Sequence, residues 1–294
     1  MRLILPLLLE YLELILVRYP NLPSSLGDLD VSKAPPNDEQ RLLRYIMRNY
    51  DRAVRPVFNA NETVSIAVGI TLAHIFNVDE KKHVLSVNLW LEQEWYDKRI
   101  YWNTTDFGDV KQLTVPARFI WTPDIVLYNN AKDSSTGIAQ TNVNIFEDGR
   151  ILWAPPVMSQ STCKLDASFF PFDDQVCYLR FGSWVYDGSQ VTVTSRFNLT
   201  ELIITNTSYM PNGEWHIVDT SIRKNQNNYS CCPKREFPDI TFTIHLRRRT
   251  LYYLYNIIIP CIMLSTLTLM QFWLPCESGE KVTLGLTVLL AYSV

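Results

Sequence analysis

The stretch Cys163-Lys164-Leu165-Asp166-Ala167-Ser168-Phe169-Phe170-Pro171-Phe172-Asp173-Asp174-Gln175-Val176-Cys177 decides the fold class. Thirteen residues separate its two cysteines. A bridge closing that loop would remove about 3 kcal/mol of unfolded-state entropy. At its tip, Phe170-Pro171-Phe172 is an aromatic–proline arrangement that can hold a cis bond. An aromatic tip on a stapled loop suits docking against something apolar. The rival sandwich, an immunoglobulin domain, places its cysteines much farther apart with a Trp between them, and this spacing excludes it.

On both sides of the loop the chain reads as β. After Cys177, Leu179 and Phe181 alternate against Tyr178 and Arg180, and Asp187-Gly188 marks a turn. In Asp239–Arg247, the residues Ile240, Phe242, Ile244 and Leu246 form an inward set, while Thr241, Thr243 and His245 point outward with the parity of Phe237 and Asp239. Upstream, Glu147-Asp148-Gly149 separates Thr141–Phe146 from Arg150–Trp153, a hairpin signal. Trp121-Thr122-Pro123-Asp124 leads into a strand over Ile125–Tyr128. In Val84–Trp95, Leu85, Val87, Leu89, Leu91 and Trp95 share one face and Ser86, Asn88, Trp90, Glu92 and Glu94 the other. Trp90 is thus a large aromatic on a polar face: either a singly exposed ring, which is common, or a residue turned toward a partner. Before the strands, Leu42, Leu43, Ile46 and Met47 recur at helical spacing, predicting a helix over Asp38–Arg52 that Pro56 stops.

Composition bounds the function. The 294 residues are 47% hydrophobic with a formal charge of −3, a mild balance that argues against nucleic acid as partner. No C-x-x-C pair, phosphate loop, G-x-S-x-G or H-E-x-x-H occurs, and the four histidines lack metal spacing. No enzymatic chemistry, metal or cofactor is indicated. Five N-x-[ST] sequons, at Asn61, Asn103, Asn198, Asn206 and Asn228, together with candidate disulfides point to the secretory route. Residues 1–27 read as a signal peptide, with Arg2 before an apolar Leu3–Leu9, although Glu10 and Glu13 interrupt it; an amphipathic helix is the rival.

Two features remain. Asn228-Tyr229-Ser230-Cys231-Cys232-Pro233 carries adjacent cysteines. Neighbouring Cα atoms lie about 3.8 Å apart, below the usual disulfide span of roughly 4.4–6.8 Å. A bond there forms a stiff ring that closes almost no loop, suited to a contact surface beside Tyr229; two unrelated thiols, or half of a bridge elsewhere, are the alternatives. Leu251–Leu274 carries no charge and is long enough to span a bilayer, with Pro260 tolerable among packing neighbours. A second apolar run begins at Val282 and reaches Val294, too short to span. Arg247-Arg248-Arg249 would be cytoplasmic by the positive-inside rule, but sequons and disulfides place the preceding domain outside, and large domains translocate largely regardless of charge.

Taken together, the thirteen-residue loop with Phe-Pro-Phe-Asp, Trp-x-Pro-Asp at 121–124, Gly-Ser-Trp-x-Tyr-Asp-Gly at 182–188, Tyr-x-Cys-Cys at 229–232 and Ser-Gly-Glu-Lys-Val-Thr-Leu-Gly at 278–285 resemble the Cys-loop pentameric ligand-gated channels, specifically α-type nicotinic acetylcholine receptor subunits. The resemblance runs from about Asp38 to the last residue. It implies a mainly β fold: an extracellular β-sandwich with an N-terminal helix (28–250), a first transmembrane helix (251–275) and an incomplete pore-lining second helix (276–294). It implies bridges at Cys163–Cys177 and Cys231–Cys232. It also implies an amine such as acetylcholine bound between sibling subunits of a homo- or heteropentamer, set in lipid at the plasma membrane, postsynaptically. Tyr128, Trp184, Tyr229 and the Cys231–Cys232 pair match the principal face. Phe237 stands where the family usually has Tyr and so loses a hydroxyl. Trp90, with Asn144, Leu152 and Ala154, matches the complementary face. Arg180 and Asp239 match a polar cluster with Tyr229 that couples ligand to gating, and the Phe170-Pro171-Phe172 tip shares that role. Glu280 would form a carboxylate ring selecting cations. Thr283, Thr287, Leu290 and Val294 fall on one helix face, Leu290 at the gate.

The family has four membrane helices; this sequence holds one and part of a second. Two functions are therefore carried forward: an acetylcholine-gated cation channel subunit, and a non-conducting ligand-binding or assembly-decoy protein.

Overall fold

A computed structural model describes residues 36–132, 141–196, 202, 204, 209–230, 232–233, 235–273 and 279–293. The expected signal segment, Asn198, Asn206, Cys231, Cys276 and Val294 lie outside the described residues. Among the described residues, a helix, α1 (Asp38–Met47), precedes eleven strands, and two apolar helices follow. Asn37 caps α1, its side chain accepting from the Gln40 amide at 2.8 Å. Leu42 is fully buried, with Leu43, Ile46 and Met47 packed against the same core. The helix ends at Met47, short of the Arg52 that periodicity predicts. Tyr50 explains the early stop: its hydroxyl donates to Asp97 Oδ2 at 2.7 Å and accepts from the Trp121 amide at 3.0 Å, pulling the chain onto the sheet.

The strands form two sheets. One contains β1 (Val64–Asp79), β2 (Val84–Tyr96), β3 (Gln112–Pro116), β5 (Asn142–Phe146), β6 (Arg150–Trp153), β7 (Pro156–Thr162) and β9 (Val191–Ser195), in the order β3-β5-β6-β2-β1-β9 with β7 also paired to β2. The other runs β10 (Trp215–Asn228), β11 (Glu236–Arg248), β8 (Asp174–Ser183), β4 (Ile125–Leu127). Apolar residues at every second position fill the space between them: Leu85, Val87, Leu89, Leu91 and Trp95 of β2 against Leu179, Phe181, Ile240, Phe242, Ile244 and Leu246. The predicted β5–β6 hairpin is present. Its Gly149 holds φ +81°, and a Cβ there would lie 2.6 Å from the carbonyls of Asp97 and Ile100, so only glycine fits.

The Cys163–Cys177 disulfide is formed, and the Phe170–Pro171 bond is cis. Beyond β11, α2 (Leu251–Met270) is 20 residues of apolar helix with none of its residues buried. At about 1.5 Å rise per residue it matches a hydrocarbon core of roughly 30 Å. Its turn widens over Leu254–Ile258 ahead of Pro260, a residue with no N–H to donate. The last helix is α3 (Lys281–Ser293). Asn61, Asn103 and Asn228 are all exposed, as sugar attachment requires.

Candidate ligand-binding site

Four aromatics gather at one end of the four-stranded sheet. Tyr128 follows β4, Trp184 follows β8, Tyr229 follows β10, and Phe237 lies at the start of β11. Tyr128 and Trp184 meet with ring centroids 6.4 Å apart at 61°, Tyr229 and Phe237 at 5.6 Å and 66°. Trp184 remains 69% exposed and Tyr229 40%, large apolar faces held outside the core. An open cleft of about 680 Å³ is lined by Tyr128, Trp184, Leu127 and Lys132 among others.

Each ring is held by polar groups beneath it. Tyr128 donates its hydroxyl to the Ser183 carbonyl at 2.6 Å. That contact needs Gly182, because a Cβ there would sit 2.6 Å from the Tyr128 oxygen. Burial, with Tyr229, Asp239 and Asp124 adding to it, pushes the Tyr128 phenol well above its ordinary range, so it stays a neutral donor. Trp184 is displayed by a loop pinned to Asp124. The carboxylate accepts from the Ser183 hydroxyl at 2.6 Å and the Val185 amide at 2.8 Å, and the Asp124 carbonyl accepts from the Trp184 amide at 3.3 Å. Trp-x-Pro-Asp and Gly-Ser-Trp thus form one unit, a role for Asp124 and Ser183 that motif spacing alone does not assign.

Behind the aromatics, Arg180 Nη2 donates to Asp239 Oδ1 at 3.2 Å and Nε to Oδ2 at 3.4 Å, with the guanidinium 5.9 Å from the Tyr128 ring centre. Asp239 is fully buried and also accepts from Asn225 at 3.1 Å, Thr241 at 3.2 Å and Asn227. Its hydrogen bond raises the Arg180 pKa, against the opposing effect of burial. Asn225 and Asn227 emerge as partners only through strand register, in which Asn225 stands opposite Asp239 and Asn227 opposite Phe237. Cys232 is half-buried, and its amide donates to the Tyr229 carbonyl at 3.0 Å. The expected Cys231–Cys232 bridge falls outside the described residues at Cys231.

Trp90 lies on the other sheet, 43% exposed on β2. Ala154 and Pro155 interrupt the run between β6 and β7, and Trp90 stands opposite Pro156. Asn144 and Leu152 face each other across β5 and β6, Asn144 accepting from the Thr114 hydroxyl at 2.9 Å, and Ala154 is exposed just beyond. Among the described residues, no ring contact joins Trp90 to Tyr128, Trp184, Tyr229 or Phe237. One chain thus displays aromatics with exposed faces on both sheets.

At the membrane end, the Phe170 ring packs edge-on to Tyr253 of α2 at 5.0 Å, while Phe172 stays exposed. Arg248, which the sequence shows only as the middle of a basic triplet, is the hub there. It donates to Asp173 Oδ1 at 2.7 Å and Oδ2 at 3.0 Å, reaches Glu80 of the β1–β2 turn, and lies 4.3 Å from the Trp215 ring centre and 4.9 Å from that of Phe170. Burial disfavours its charge, but the hydrogen bonds it donates to Asp173 and Glu80 outweigh that and hold it protonated. Arg247 makes a two-pronged pair with Asp174 at 2.8 Å. Two of the three arginines are thus paired with carboxylates of the folded domain, Arg248 in its interior and Arg247 on its surface. In α3, Thr283, Thr287 and Leu290 are exposed and Glu280 sits at its head, its carbonyl accepting from the Leu284 amide at 3.0 Å.

Residues 39–250 match the family model for the neurotransmitter-gated ion-channel ligand binding domain, and residues 257–294 that for the corresponding transmembrane region. The chain therefore belongs to the neurotransmitter-gated ion channels. It is 41% identical over 256 residues to acetylcholine receptor subunit alpha-type acr-16 of Caenorhabditis briggsae, covering 86% of this chain and 50% of that one. It is 41% identical to human neuronal acetylcholine receptor subunit alpha-2 (87% and 47%) and 39% identical to human subunit alpha-4 (87% and 40%). The chain spans about half the length of the curated relatives it matches.

Proposed function

We propose that the chain is a subunit of an acetylcholine-gated cation channel, in which an amine is bound between one copy's Tyr128, Trp184, Tyr229, Cys231–Cys232 and Phe237 and a neighbouring subunit's Trp90, Asn144, Leu152 and Ala154. The observation that carries this reading is the division of the aromatics between two sheets, each half with rings open to solvent. A quaternary or protonated amine gains about 0.5–2 kcal/mol from each aromatic face, most from Trp. No carboxylate is needed in direct contact. Closure of the Tyr229–Cys232 segment on the amine would bear on the Arg180–Asp239 pair, and through β11 on Arg248 and the head of α2. In the assembled pore, Glu280 forms the cation-selecting ring and Thr283, Thr287, Leu290 and Val294 line the path, with Leu290 as gate. The assembly is a homo- or heteropentamer with sibling subunits at the plasma membrane, facing the synaptic space.

Saturation binding of a labelled amine agonist to membranes carrying the chain tests the site. Trp184→Ala should weaken affinity by roughly 30-fold, the equivalent of about 2 kcal/mol, with surface expression retained. Unchanged affinity would remove Trp184 from the site.

A further inference from the structure

We infer that His83 is a positioning residue at the junction of the β1–β2 turn and the disulfide loop, and that it ties the two together only while its imidazole is neutral. His83 holds φ +56°, a left-handed conformation that His, Asn and Asp enter more readily than most side chains. From there it makes two hydrogen bonds to the start of the loop. Its carbonyl accepts from the Cys163 amide at 2.9 Å, and its ring Nδ1 meets the Leu165 amide at 3.2 Å. A peptide N–H can only donate, so Nδ1 is the acceptor and the ring proton resides on Nε2. Protonating the ring makes Nδ1 a donor facing a donor. Leu165 is 7% exposed, so water replaces the lost acceptor poorly.

Among the described residues no carboxylate lies within ion-pair distance of His83, and those of the surrounding elements are engaged by other groups. On the turn, Asp79 is taken by Lys82, and Glu80 by Arg248; Lys81 adds a further positive charge. On the loop, Asp166 accepts from the Ser168 amide and hydroxyl and feels Lys164. On β8 and β11, Asp174 is engaged by Arg247 and His245. The span of β7, Pro156–Thr162, has no charged residue. The turn carries Glu80 to Arg248, and the loop carries Phe170 to Tyr253, so both elements that His83 joins bear on the head of α2. The functional consequence rests on the reading above that binding reaches the head of α2 through Arg248, to which the turn contributes Glu80 and the loop Asp173: acidification should loosen the turn from the loop and weaken coupling.

The test is amide hydrogen exchange at Leu165 in the full chain reconstituted in lipid, corrected for the intrinsic pH dependence of exchange, at about pH 7.5 and about pH 5.5, either side of the ordinary imidazole range. His83→Asn is the rescue variant. Asn Oδ1 stands as many bonds from Cα as His Nδ1, Asn suits positive φ, and its amide does not titrate. His83→Phe keeps a ring and has no acceptor. Wild-type protection at Leu165 should fall about tenfold on acidification, stay constant in His83→Asn, and be low at both pH values in His83→Phe. Equal wild-type protection at the two pH values, or an Asn variant that follows the wild type, would overturn the inference. In channels formed with sibling subunits, current at saturating agonist should drop with acid in the wild type and hold in His83→Asn. If exchange responds and current does not, the hydrogen bond stands and the transmission route through this junction fails.

Discussion

Tyr128 donates its hydroxyl to the carbonyl of Ser183 across 2.6 Å, so a ring from one loop is fixed to the residue immediately before Trp184 of another. Neither ring can be repositioned alone.

That coupling sets an order among substitutions. Tyr128→Phe leaves the Ser183 carbonyl without its donor and should weaken agonist affinity by about fivefold, near 1 kcal/mol. Gly182→Ala forces a Cβ to within 2.6 Å of the Tyr128 oxygen and 2.8 Å of its Cζ, displacing the ring itself. Its loss in the same binding assay should be the larger. A Gly182→Ala receptor with normal affinity would show that the Tyr128–Ser183 contact is not required.

The Arg180–Asp239 pair is asymmetric. Arg180 is partly open to solvent, whereas Asp239 is fully buried among three further donors. Removing Arg180 leaves a carboxylate that keeps other partners; removing the carboxylate's charge weakens four interactions at once. Asp239→Asn should therefore lower domain stability by about 1–3 kcal/mol, seen as a drop in thermal midpoint, with Arg180→Gln costing less. The reverse ranking would mean that the asparagines and Thr241 do not support Asp239.

Arg248 gives a pH signature. Burial raises the Asp173 pKa, but hydrogen bonds from Arg248 and Gln175 outweigh it, and the carboxyl titrates below its unfolded value. A depressed acid contributes stability that is complete above the unfolded pKa, about 3.9, and is lost as pH falls through the folded one. Wild-type stability should therefore decline as acidity passes below about pH 4. In Arg248→Gln the decline should flatten, and stability near neutrality should fall because Asp173 stays buried without its cation. Parallel pH profiles for the two proteins, measured by chemical unfolding, would contradict this.

Asn228 ends β10, exposed and directly before Tyr229. A glycan there would stand at the mouth of the cleft, where a small cation passes beneath it and a bulky peptide does not. Asn228→Gln should strengthen binding of a large peptide antagonist and leave agonist affinity nearly unchanged. Equal effects on both would mean the position is unmodified or turned away.

Most of the fold was legible because period-two patterning is a local signal: the inward sets of β2 and β11 and the Gly149 hairpin follow from it directly. The Cys163–Cys177 staple was legible through the motif resemblance, since six cysteines leave its pairing open on spacing alone. The end of α1 was not, because Tyr50 leaves the helix to reach Asp97 and Trp121, partners far along the chain. The candidate aromatics Tyr128, Trp184, Tyr229 and Phe237 were named through motif resemblance, and the exposure of Trp90 followed from its place on a polar face. What holds those rings was not legible. Asn225 and Asn227 depend on the register between β10 and β11. Arg248 looks in sequence like a topology signal for a membrane segment, and only packing brings Asp173, Glu80, Trp215 and Phe170 around it.

The central claim is that each site is completed by two subunits, one giving Trp184 and the other Trp90. Labelled agonist binding to cells making the Trp184→Ala chain, the Trp90→Ala chain, or both together tests it most directly. Each variant alone should bind poorly. The mixture should regain a fraction of high-affinity sites, because some interfaces then join an intact Trp184 to an intact Trp90. A mixture that binds no better than either variant alone would contradict the account.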